Sequence, residues 1–178
     1  HKRSEQTHEI LTLADQALCK IPHRGGMSSQ GIGDGAGVNI DISVNFYRYL
    51  TGDEKLEYGN FGVANFFYPV DEKQKHVAEE IIKNTLIKYK LALVLWRDVE
   101  VNPEAVNEAS RKAQLPIVQV VFSRPQSLKT QKEFEHEINK ALKEIESPAF
   151  TVAALKGFYP LSMSSYTQVY KGRLVSGE

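Results

Sequence analysis

Apolar and polar residues recur along this chain with two different periods, and each period predicts its own kind of element. Ile10, Ala14, Ala17, Leu18 and Ile21 share one face at helical spacing, which predicts a helix over Gln6 to Ile21. Pro22 and the pair Gly25-Gly26 end it. Val38 to Ile42 alternates as a strand, and Asn45 to Leu50 reads as a short helix or an aromatic turn. Phe61 to Tyr68 is aromatic and strand-prone, with Pro69 as its stop. Asp71 to Lys90 is an amphipathic helix with Val77, Ala78, Ile81, Ile82 and Tyr89 inward, and Asp71 and Gln74 stand at capping-box spacing. Leu91 to Trp96 and Ile117 to Phe122 are apolar runs of the buried-strand kind. Asn102-Pro103-Glu104 combines a cap, a proline for the first helical position and an acid suited to the helix dipole. Thr130 and Glu133 form a second capping box, opening a helix whose Phe134, Ile138, Ala141, Leu142 and Ile145 share a face. Phe150 to Leu155 and Thr167 to Leu174 are further predicted strands, separated by a turn at Gly157 to Pro160.

Taken alone, this alternation favours an α/β domain with helices layered on a sheet. The last two strands have no helix between them, so part of the sheet is expected to be antiparallel. No repeat or linker divides the 178 residues, which predicts one domain over 1–178. Twenty-two basic residues balance twenty-two acidic ones, which argues against a nucleic-acid binder held by phosphate neutralisation. The longest apolar run, Leu91 to Trp96, is far too short for a membrane span. A single cysteine forbids an internal disulfide and a cysteine-rich zinc site. That free thiol, with no secretory leader, predicts a cytoplasmic protein.

The oddest stretch is His23 to Gly37, which holds six of the chain's twelve glycines. A helix precedes it and a strand follows, the reverse of a dinucleotide fingerprint, and Asp34 would repel a phosphate. It is either a tight turn that needs glycine backbones or a binding loop with Arg24 and Asp34 as polar anchors. Arg24 could hold a carboxylate bidentately or form a salt bridge, for instance to Asp34. The five histidines, His1, His8, His23, His76 and His136, are scattered and read as surface or core residues rather than metal ligands. Asp34 and Asp41 lack the spacing of a calcium loop. Cys19, near Lys20 and His23, reads as a small core residue before it reads as a nucleophile. Trp96-Arg97-Asp98 ends a strand, as a site or as an Arg97–Asp98 contact.

Four pieces occur in a telling order. They are Ala17-Leu18 followed by His23-Arg24-Gly25-Gly26; Gly33-Asp34-Gly35-Ala36-Gly37; Trp96-Arg97-Asp98-Val99 with Pro116 to Phe122 beyond it; and Leu161 to Gly172, which contains Ser-x-Ser-Ser-x-Thr-x-Val-Tyr-Lys-Gly. Together they resemble the class II glutamine amidotransferase domain at the start of the glutamate synthase large chain. The resemblance implies an α+β, Ntn-hydrolase-like four-layer αββα sandwich with mostly antiparallel sheets, incomplete at both ends. It implies an N-terminal cysteine that attacks the glutamine side-chain amide with its own α-amine as general base. The Cys-Gly-x-Gly strand would precede His1. The Arg-Phe-Ser-Thr and His-Asn-Gly-Glu-Ile-Asn motifs would follow Gly172. No catalytic residue is therefore expected in this chain, and Cys19 cannot serve, having no free α-amine. Arg24, Gly33, Asp34 and Gly35 are carried over as substrate-side residues lining the glutamine pocket.

The resemblance implies glutamine as ligand and a synthase domain or subunit as partner. It implies no cofactor or metal for this domain, since the FMN and iron–sulfur cluster belong to the synthase domain that receives the ammonia. Sheet edges left open at both ends predict self-association or capping by another chain. Two other readings stand beside the hydrolase. One is a degenerate, non-catalytic relative that binds an amino acid or a protein. The other is an unrelated α/β structural domain.

Overall fold

The computed structural model describes residues 7–20, 26, 28, 32, 33, 35–151 and 155–172. Its elements run α1 (His8–Cys19), β1 (Ala36–Asp41), α2 (Val44–Thr51), β2 (Phe61–Phe67), α3 (Glu72–Lys88), β3 (Ala92–Asp98), a 3₁₀ turn (Pro103–Ala105), α4 (Glu108–Ala113), β4 (Ile117–Ser123), α5 (Gln131–Thr151), β5 (Tyr159–Ser164) and β6 (Thr167–Gly172). The chain divides into two compact units. One is His1–Val38 with Glu100–Gln114 and Tyr170–Glu178, and the other is Asn39–Val99 with Leu115–Val169.

The larger unit is built around a four-stranded sheet ordered β3-β4-β2-β5, in which every neighbouring pair is antiparallel. The fold is thus α+β with antiparallel sheets, as the resemblance implies, and not the parallel α/β arrangement that alternation suggests by itself. β1 and β6 form a second, two-stranded sheet. Strand side chains alternate between faces, so β2 and β4 each sort their residues into two sets. Ala64, Phe66, Val118, Val120 and Phe122 meet Ala78, Ile82 and Leu86 of α3 and Phe134, Ile138, Ala141 and Ile145 of α5. Phe61, Val63 and Val121 turn the other way and meet Ile42, Tyr47 of α2 and Leu56.

Local chemistry starts each of these helices. Asp71 Oδ1 accepts from Gln74 N–H at 3.0 Å. At α5 the box is reciprocal: Glu133 N–H donates to Thr130 Oγ1 at 3.2 Å, and Thr130 N–H donates to Glu133 Oε2 at 2.9 Å. Lys129 N–H adds a third bond at 2.8 Å. The predicted helix at Asn102 is only a 3₁₀ turn. The α-helix begins five residues later, where Asn107 Oδ1 accepts from Ser110 N–H. α3 and α5 are tied at their surface by Lys88 and Tyr89, which both bond the Glu144 carboxylate. The Tyr68 phenol, pushed up by burial and by Glu79 and Asp98, stays a donor to the Lys75 carbonyl at 3.0 Å.

Several expectations are corrected. α5 runs on through Pro148 to Thr151, so Phe150 does not open a strand; the next strand, β5, starts at Tyr159 after a turn at Gly157 with φ +88. Leu91 to Trp96 is not a buried strand. β3 lies at the sheet edge with Leu93 46% exposed, while β2 and β4 are buried almost throughout. Val77 is exposed, and Thr85 and Leu86 take the inward places on α3. No described residue of α1 is buried, so its apolar face is uncovered among the described residues, and Cys19 is exposed rather than a core residue.

Truncating Phe134, fully buried and edge-on to Phe122, is expected to cost about 3–5 kcal/mol. Ile87→Ala, at a position 74% exposed on α3, should stay within about 0.5 kcal/mol. Chemical denaturation of the two variants checks the contrast. The Glu133 carboxylate is held below its ordinary value of 4.5 by the backbone N–H groups of Thr130 and Lys129. A depressed carboxylate stabilises the fold fully above its unfolded value and loses that contribution as pH falls through the folded one. The stability gap between wild type and Glu133→Gln should therefore be open at neutral pH and close in acid, as read by thermal melting across that range.

Candidate functional site

Of the four residues expected to line a pocket, Arg24 and Asp34 lie outside the described residues. Gly33 and Gly35 are described in the smaller unit, where Gly33 is buried in a single bridge pair. Gly35 has φ +127, a conformation that side chains other than hydrogen rarely adopt. A Cβ there would lie 3.0 Å from Lys171 Cε and 3.2 Å from the Gly172 carbonyl. At Gly37 a Cβ would fall 2.5 Å from the Tyr170 carbonyl oxygen, a contact that nothing but glycine allows. Upstream, Ser28 N–H donates to the Ile32 carbonyl at 2.9 Å and Ser28 Oγ accepts from Ile32 N–H at 3.1 Å, closing a short loop. Gly35 and Gly37 are thus required by close approach, and the residues approached are the Tyr-Lys-Gly that ends β6.

A second polar constellation, which sequence reasoning missed, crosses the larger unit's sheet on the face away from α3 and α5. Arg97, Gln119, Asn65 and Ser162 stand side by side in register on β3, β4, β2 and β5. Arg97 Nε–H donates to Gln119 Oε1 at 2.8 Å, and Gln119 Nε2–H donates to Asn65 Oδ1 at 2.9 Å. Asn65 Nδ2–H then donates to the Val169 carbonyl at 2.8 Å, while Ser162 Oγ accepts from Val169 N–H at 3.0 Å. Asn65 and Gln119 are both completely buried. The signal that could have found them is a lone amide within each of two apolar strands, Phe61 to Phe67 and Ile117 to Ser123. Arg97 also lies over the Phe46 ring and turns to Gln119 rather than to Asp98.

The serines of the β5–β6 turn have structural partners. Ser164 Oγ–H donates to Glu135 Oε1, and Ser165 donates both its N–H and its Oγ–H to Glu135 Oε2, each at 2.7 Å. Ser164 Oγ in turn accepts from Tyr166 N–H at 3.0 Å, and Gln131 Nε2–H donates to the Ser165 carbonyl. The Tyr47 hydroxyl donates to Gln168 Oε1 in the buried interior. No three histidine, cysteine or acidic residues cluster to hold a metal among the described residues. His8, His76 and His136 are exposed, and His1 and His23 lie outside the described residues.

Comparison with known proteins supplies what geometry alone does not. The family model for class II glutamine amidotransferases matches residues 1–178. The chain is 33% identical to the NADPH glutamate synthase large chain of Bacillus subtilis over 177 residues, which is 98% of this chain and 11% of that protein. It is 30% identical to the NADH glutamate synthase of Saccharomyces cerevisiae over 188 residues, covering 100% of this chain and 9% of that protein. It is 33% identical to the ferredoxin-dependent glutamate synthase of Antithamnion over 184 residues, covering 97% of this chain and 12% of that protein. A sequence with the glycine-bearing segment, the serine turn and this antiparallel α+β framework, matched from end to end by one family model, belongs to the class II glutamine amidotransferases.

Proposed function

We propose that this chain is part of the glutamine-hydrolysing domain of a glutamate synthase-like protein, as one domain over 1–178. The chain spans 9% to 12% of the length of the relatives it matches, so the hydrolysis and the delivery of ammonia to a synthase domain are proposed for the whole polypeptide. The chemistry is displacement at the side-chain amide. A thiolate sulfur bonds to the amide carbon, the C–N bond breaks with a proton passing to nitrogen, ammonia leaves, and water cleaves the resulting thioester to glutamate. This chain's only thiol is the internal Cys19, which is exposed and carries no α-amine. The attacking group is therefore assigned outside these 178 residues. The observation that supports a structural role for this chain beside the pocket is the glycine segment, with Gly35 at φ +127 against Lys171. Arg24, Gly33, Asp34 and Gly35 are proposed to wall the glutamine. No helix among the described residues is long and apolar enough to cross a membrane, and a cytoplasmic location is part of the same proposal.

The full-length polypeptide should release glutamate from L-glutamine, and the isolated 178-residue chain should not. Activity in the isolated chain would contradict the placement of the nucleophile; an inactive full-length protein would favour the non-catalytic binding module. Gly35→Ala strains the backbone by ~1–3 kcal/mol, so kcat/KM for glutamine should fall about tenfold or more.

Among the described residues β3 pairs only with β4, and it exposes Leu93 on an open edge. A register shift between Leu93 and Leu95 blunts that edge. We propose weak, concentration-dependent self-association of the isolated chain there. Sedimentation velocity over a wide concentration range checks it, and a monomer throughout counts against it.

A further inference from the structure

We infer that Asn65 and Ser162, with Gln119 and Arg97 behind them, are positioning residues for glutamine that act by fixing the register of β6. The inference deepens the reading of the glycine segment as a pocket wall and rests on it. β6 is not a ladder strand of the four-stranded sheet, since its partner is β1. Phe61, Val63 and Val121 share the sheet face from which Asn65 reaches β6. Apolar contact is non-directional, so the register of β6 rests on directional bonds: its pairing with β1, the Tyr47–Gln168 bond, and the bonds from the sheet. Asn65 and Ser162 supply the last of these by taking the carbonyl and the N–H of one residue, Val169, at 2.8 and 3.0 Å. The two side chains do for Val169 what a neighbouring strand would do.

The row behind them keeps Asn65 pointed the right way. An amide can flip end for end, and Gln119 Nε2 donating to Asn65 Oδ1 leaves only Nδ2 to face Val169. Arg97 holds Gln119 in turn, because its Nε–H selects the Gln119 oxygen. Every bond in the chain runs donor to acceptor in one direction, from a permanent cation to a backbone carbonyl. Since β6 is one unbroken strand, a register fixed at Val169 is also the register of Tyr170, Lys171 and Gly172. Those are the groups that a Cβ at Gly35 or Gly37 would meet at 2.5 to 3.2 Å. A slip of one residue there would present different atoms to the glycine segment.

The test uses the full-length polypeptide with Asn65→Leu, and with Ser162→Ala as the milder variant in case the first does not fold. Both are read by glutamine kinetics, thermal melting and residue-resolved amide exchange. Loss of one directional bond predicts that KM for glutamine rises about tenfold while kcat changes less than about threefold. Amides of Val169 to Lys171 should exchange faster in both variants, with those of β2 and β4 unchanged in Ser162→Ala, and Ser162→Thr should restore both readouts by restoring the hydroxyl. A folded variant with faster β6 exchange but an unaltered KM overturns the positioning role, as does unaltered β6 exchange. A wild type that fails to hydrolyse glutamine overturns the functional reading instead, and the exchange measurement still decides whether these side chains anchor β6.

Discussion

A primary amide that leaves water must find partners for its oxygen and its N–H groups inside the protein, and a wrong neighbour costs about 1–3 kcal/mol for each orphaned group. Asn65 and Gln119 both meet this condition at 0% exposure, in the middle of strands that are otherwise apolar. Their solution is mutual: they are cross-strand partners in the β2–β4 ladder, so each lies within reach of the other. That pairing adds a directional constraint on the β2–β4 register to the non-directional one of the apolar core. A slip of one residue in β2 would turn Asn65 away from Gln119 and in among Phe66, Phe122 and Phe134 on the helix side. The remaining valences of the pair then reach outward, to Arg97 at one end and Val169 at the other.

The two faces of the sheet consequently do different work. On the α3 and α5 side the contacts are apolar and numerous, and they carry most of the hydrophobic stabilisation. On the opposite side a smaller apolar cluster surrounds a polar row that contributes little net stability but admits one arrangement of the strand lying on it. The serine turn repeats this logic. Glu135 receives three donors from Ser164 and Ser165, which satisfies the carboxylate and leaves neither hydroxyl proton for chemistry. The serines that make the motif distinctive are thereby explained as a fastening between α5 and the β5–β6 turn.

How far the sequence could be read depended on how local each interaction is. The caps at Asp71 and Thr130 are contained within four residues and were legible, the first as an N-cap and the second as a reciprocal box. The face of α5 from Phe134 to Ile145 was legible because a helix periodicity states its own buried side. The run Leu91 to Trp96 was misread because composition cannot distinguish a central strand from an edge strand, and only its pairing partners decide that. The strand expected at Phe150 failed because a proline within a helix forfeits its own donor without ending the helix, so α5 continues one turn beyond Pro148. The polar row was invisible for a different reason. Its four members are drawn from four strands, separated by as many as 97 positions between Asn65 and Ser162, and only tertiary register brings them together.

The glycine segment shows what kind of information the rest is. Read by itself, the spacing of Gly33, Gly35 and Gly37 suited a tight turn or a binding loop equally well. The coordinates give a physical reason for two of them: Gly35 and Gly37 each leave room for the Tyr170–Gly172 backbone or the Lys171 side chain. The motifs that carried the family resemblance therefore have reasons that refer to one another, since the glycines at one end of the chain are explained by residues near the other. A match of short strings separated by more than a hundred residues is persuasive for that reason. Each string restricts the other through contact, so a substitution in one would have to be met by a change in the other. The resemblance was informative where local chemistry was not because it encodes tertiary contacts that no window of the sequence contains.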